Sequence, residues 1–124
     1  MKVADLVKQL NLQVRSARAG LAREVTGGYC SDLMSDVLAN GRTGEVWVTL
    51  QTHQNIVAVA SMRELSAVIL VNGRQPEEGT IQRAESERIP VLVSRLSAFE
   101  LVGRLYDLGV RSAAIDPVVG PETD

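Results

Sequence analysis

The chain has 124 residues, of which 45% are hydrophobic and 23% charged, and its 13 basic and 15 acidic side chains leave a net charge of -2. That length suits one folded domain, and the composition is that of a globular protein and not a disordered one. The two signs of charge are interspersed, so the basic stripe that nucleic acid or an anionic membrane requires is missing, and the single cysteine, Cys30, excludes an internal disulfide or a zinc cluster.

Val3, Leu6, Val7 and Leu10 recur at helical spacing and predict a short amphipathic helix at the start. Residues Leu12 to Ala22 carry no clear period. Glu24 to Ser31 reads as a strand or extended turn containing Gly27 and Gly28. From Asp32, expected to cap it, a helix marked by Leu33, Val37 and Leu38 runs to the stop signal Asn40-Gly41. Glu45-Val46-Trp47-Val48-Thr49-Leu50 is rich in β-branched and aromatic residues and predicts a strand, followed by a helix over about Asn55 to Glu64. Ser66 to Val71 is a continuous apolar run, the pattern of a strand buried on both faces. Pro76-Glu77-Glu78 opens a mostly solvated helix ending near Arg88, Ile89 to Val93 is a further strand, and Ser97-Ala98-Phe99-Glu100 has the spacing of a capping box. Leu101, Leu105 and Leu108 mark the last helix, which Gly109 ends.

Strand and helix alternate from Glu45 onward with short connections, which predicts an α/β fold of three layers: a mainly parallel sheet with helices on both faces. One domain is expected over residues 1–113, with a loose tail over 114–124. The N-terminal segment has Asp5 and Lys8 where a signal peptide needs an unbroken apolar stretch, and no apolar run reaches membrane-spanning length, so a cytoplasmic location is expected.

Several chemistries lack their residues. The only lysines, Lys2 and Lys8, do not follow a glycine-rich turn, so a phosphate-binding P-loop is excluded, and no Gly-x-Gly-x-x-Gly fingerprint occurs. His53 is the only histidine, which rules out multi-histidine metal sites. The expectation is a chain with no cofactor, no metal site and no catalytic set. The alternative is a small phosphotransfer or hydrolytic enzyme using His53 or Cys30.

In a parallel sheet the loops leaving the carboxyl ends of the strands gather on one edge, where helix N-termini aim free N–H groups at ligands. The segments assigned to that edge supply Thr26, Gly27 and Gly28; Thr52 and His53; Asn72, Gly73 and Arg74; and Arg95 and Ser97. With Arg74 and Arg95 as forked donors, the set suits a small anion carrying phosphate or carboxylate.

Three stretches resemble the DRTGG domain, a module related in fold to the N-terminal domain of HPr kinase/phosphorylase: Val25-Thr26-Gly27-Gly28-Tyr29; Val46 to His53 followed by Asn55-Ile56-Val57; and Ile69 to Pro76. The likeness extends over about Val25 to Val110. At the family's Asp-Arg this chain has Thr52-His53, and at its Thr-Gly-Gly it has Val71-Asn72-Gly73. The resemblance implies a non-catalytic accessory role, and the expectation is a regulatory module that works through self-association, as a homodimer, or through a protein partner still to be named. A small nucleotide-like anion is the expected effector.

Overall fold

The computed structural model describes residues 1–113. Five strands, β1 (Gln13–Val14), β2 (Gly27–Cys30), β3 (Glu45–Thr49), β4 (Ala67–Leu70) and β5 (Val91–Val93), form one sheet in the order β1-β5-β4-β3-β2. β2 to β5 are parallel, and β1 runs antiparallel along the outer edge of β5. Five helices accompany them: α1 (Val3–Leu10), α2 (Met34–Asn40), α3 (Asn55–Met62), α4 (Glu78–Glu87) and α5 (Ala98–Asp107). The α/β class and the mainly parallel sheet agree with the sequence pattern. The tail expected over 114–124 lies outside the described residues.

Topology explains the layers. β2, β3, β4 and β5 are neighbours in chain order, so every crossover steps in the same direction, and crossovers of one hand then leave their helices on one face. α2, α3 and α4 share that face, where Val37, Ile56, Ala60 and Ala84 pack on Trp47, Val68, Leu70 and Val91. α5 has no further strand to reach and folds back over the opposite face beside α1, so that Leu101, Leu105, Val3 and Leu6 pack on Val46, Val48, Ile69 and Leu92. The strand residues alternate between the two cores with a period of two, which is why β4 reads as an unbroken apolar run.

The segment without a period, Leu12 to Ala22, holds β1 and a short 3₁₀ turn over Arg18–Ala22. Two residues are too few to show strand alternation. What fixes them is tertiary: the buried Ser16 hydroxyl donates to the Ile89 carbonyl and accepts from the Val91 N–H, both at 2.9 Å. Asp32 does not cap α2, as expected from its position, because Leu33 takes the capping place. Its carboxylate instead accepts from the Thr49 hydroxyl at 2.9 Å and the Leu50 N–H at 2.7 Å, tying the exit of β2 to the exit of β3. Ser97 caps α5 as its spacing predicts, accepting from the Glu100 N–H.

A polar cluster steadies α2 against β2. The Tyr29 hydroxyl donates to both carboxylate oxygens of Asp36 at 2.9 Å, and the Asn40 amide donates to the same group. The nearby Ser31 hydroxyl, then Tyr29 and Asn40, hold the Asp36 pKa below its ordinary 3.8. Below 3.8 the unfolded chain therefore binds this proton before the folded chain does, so the contribution of Asp36 is complete above that pH and lost as pH falls through its native pKa. Urea midpoints measured over an acid series should decline in this window, and Asp36→Asn should flatten that part of the curve. An unchanged slope in the variant would show that Asp36 contributes nothing to it.

Candidate functional site

The carboxyl ends of β2 to β5 define one rim of the sheet, joined by hydrogen bonds between its loops. Asn72 and Gly73 are consecutive left-handed residues, with φ of 58° and 68°, that turn the chain after β4. Their N–H groups donate to the carbonyls of Leu96 and Ser94 at 2.8 Å, so the loop after β4 is fastened to the loop after β5. Those two amides are consequently occupied by the protein itself. Ser94 is buried and its hydroxyl accepts from the Leu96 N–H, which fixes the path of the chain into α5.

Beside this pair of loops, between the C-terminal end of α1 and Arg104 of α5, lies a cleft of about 740 Å³. Its walls include Asn11, Gln13, Gly73, Gln75, Arg95 and Arg104. The Gln75 side-chain amide donates to Gln13 Oε1 at 3.0 Å and accepts from Arg15, which closes one wall with a side-chain bridge from β1 to the β4 loop. Two arginines, Arg95 and Arg104, therefore line a space that no carboxylate lines. Arg104 has Glu100 at 3.8 Å on its own helix, and among the described residues Arg95 makes no ion pair. A polar cleft with two forked cationic donors and several amides is chemically matched to a phosphate or carboxylate group.

The ten residues picked from the sequence separate into three groups. Gly73 and Arg95 line the cleft, and Asn72, Arg74 and Ser97 adjoin it in the same two loops. Thr52 and His53 share the rim but are engaged elsewhere: the Thr52 carbonyl accepts from the Thr80 hydroxyl at 2.7 Å and the Glu77 N–H, and His53 Nδ1 accepts from the Asn55 N–H at 3.1 Å at the start of α3. Thr26, Gly27 and Gly28 are at the opposite rim, which corrects their assignment to the ligand edge. Gly27 pairs with Glu45, the first residue of β3, and the Thr26 hydroxyl donates to the Thr43 carbonyl. The error came from treating these residues as the exit of a strand when they are its entry. Nothing local marks Asn11, Gln13 and Arg104 as binding groups, because they stand at the end of α1, in the segment without a period and on the body of α5.

Cys30 and His53 do not form a dyad. Tyr29 packs into the α2–α4 layer, so Cys30, the next residue of β2, faces the other layer, where it lines a groove with Val102, Leu105 and Tyr106. His53 belongs to the start of α3, on the first layer. Burial, followed by the Asp32 carboxylate, pushes the Cys30 thiol pKa up, the reverse of what activates a nucleophile. Among the described residues no three or more His, Cys, Asp or Glu side chains gather as a metal site would need, and no helix is long and apolar enough to cross a membrane.

No family model and no curated protein matches the sequence. Among solved structures, the fold is similar to the CBS and DRTGG domains of the regulatory region of a Clostridium perfringens pyrophosphatase, a structure complexed with its activator diadenosine tetraphosphate. The TM-score is 0.69 at 14% identity, with 94% of this chain and 54% of that one covered. The chain thus spans about half the length of that neighbour and has a DRTGG-like fold.

Proposed function

We infer that this chain is a non-catalytic, DRTGG-like regulatory module whose residues 1–113 act as one unit, binding a small anionic, nucleotide-like effector in the rim cleft. It passes that signal on through self-association or a protein partner. The observation that carries the reading is the cleft of about 740 Å³ in which Arg95 and Arg104 meet no lining carboxylate. A regulatory region of similar fold that is complexed with a nucleotide activator gives the reading a functional precedent. The separation of Cys30 from His53 supports a binding role over the enzymatic alternative.

Isothermal titration calorimetry with diadenosine tetraphosphate, ATP, AMP and inorganic phosphate tests it directly. At least one phosphorylated compound should bind, more weakly as salt rises because the arginines are solvent-accessible. Arg95→Ala and Arg104→Ala should each weaken that binding by about tenfold or more, since a charge-assisted hydrogen bond is worth roughly 1.5–3 kcal/mol. Silence with all four compounds at low salt would overturn the effector assignment.

A further inference from the structure

α5 carries a second apolar face that the fold does not use. Leu101 and Leu105 are buried against the sheet, whereas Phe99 is 91% exposed, Tyr106 55% and Val102 37%. Phe99, Val102, Gly103 and Tyr106 follow the i, i+3, i+4, i+7 spacing of a single helical stripe. They border a mostly apolar groove of about 980 Å³ whose lining also includes Cys30, Ala98 and the charged Glu100, Arg104 and Asp107. Glycine is unfavourable inside an exposed helix, and a Cβ at Gly103 would meet no atom within 4 Å, so nothing in the fold explains its presence at the centre of this stripe.

We propose that this face of α5 is the contact through which two copies of the chain associate, helix against antiparallel helix about a twofold axis. The stripe is close to symmetric about the step from Val102 to Gly103, with an aromatic residue at either end. An antiparallel copy therefore brings Phe99 of each chain to Tyr106 of the other and lets the bare backbone at Gly103 approach Val102. Such a patch is complementary to itself, which is what a twofold contact demands. Charge does not oppose it, because Glu100, Asp107, Arg104 and Arg111 along and just beyond the helix sum to zero. Tyr106 is already held for contact, with the Arg111 guanidinium stacked 3.6 Å from its ring centroid. A peptide strand is the poorer occupant, since the Gly28 N–H on the free edge of β2 is taken by the Arg111 carbonyl at 3.1 Å.

The proposal rests on the self-association part of the proposed function, and although Arg104 borders both surfaces, Phe99 and Gly103 lie outside the rim cleft. Sedimentation or light scattering of the purified chain should give twice 13.4 kDa. Phe99→Asp and Gly103→Gln, both at positions with open space, should return 13.4 kDa with an unchanged far-UV spectrum, and Met62→Asp, at an exposed apolar position away from α5, should leave the dimer intact. A wild-type monomer at about 1 mM, where even weak association registers, would overturn both the surface and self-association itself. A dimer that persists in Phe99→Asp and Gly103→Gln would overturn the surface alone.

Discussion

Trp47→Ala is expected to destabilise the fold by about 3–5 kcal/mol, a large share of the 5–15 kcal/mol typical of a domain. Trp47 is fully buried on the second strand from the sheet edge, packed beneath α2 and α3, and its indole N–H donates to the Ser31 carbonyl at 2.7 Å. Alanine would leave a cavity and strip Ser31 of its partner at once. Trp47→Phe separates the two losses, keeping most of the packing and giving up the hydrogen bond, for an expected cost of about 1–3 kcal/mol. Urea unfolding followed by far-UV circular dichroism is the suitable measurement, because Trp47 is the only tryptophan and its fluorescence disappears in both variants. A loss below about 1 kcal/mol for the alanine variant would mean that the β3 core collapses around the gap far more readily than buried aromatic sites do.

The same residue shows why much of the architecture could be read from the sequence. Trp47 sits in a strand rich in β-branched residues, and the uninterrupted apolar run of the neighbouring β4 implies helices on both sides of the sheet before any contact is known. Elements with a period of their own, such as α1 and α5, were equally legible. The parts that were not are those whose conformation is set by distant partners. β1 exists because β5 offers an edge and Ser16 bonds to the chain on either side of Pro90. Asp32 is drawn from its capping place by Thr49 and Leu50, 17 and 18 residues away. In the candidate site, Arg95 and Gly73 could be found because strand exits in a parallel sheet share a rim. Arg104, Asn11 and Gln13 could not, since their convergence depends on how α1 and α5 lie over the sheet.

Gly44→Ala is expected to cost about 2–4 kcal/mol, combining left-handed strain with overpacking. Gly44 has φ of 86°, and a Cβ there would come within 2.5 Å of the Thr26 hydroxyl oxygen. Thr26 cannot easily give way, because its N–H donates to the Gly44 carbonyl and its hydroxyl to the Thr43 carbonyl, each at 2.9 Å. Gly27 is hemmed in similarly, with the Arg111 carbonyl oxygen 2.7 Å from where its Cβ would stand, and Gly27→Ala should cost about 1–3 kcal/mol. The glycines that looked like a ligand loop are therefore explained by backbone approach at the entry of β2, on the rim away from the cleft. This makes the two rims separable by experiment: Gly27→Ala and Gly44→Ala should lower the melting temperature while leaving phosphate-compound affinity unchanged below it, and Arg95→Ala should do the opposite. Lost affinity in a folded Gly27→Ala variant would move the binding site to the rim that the geometry assigns to packing.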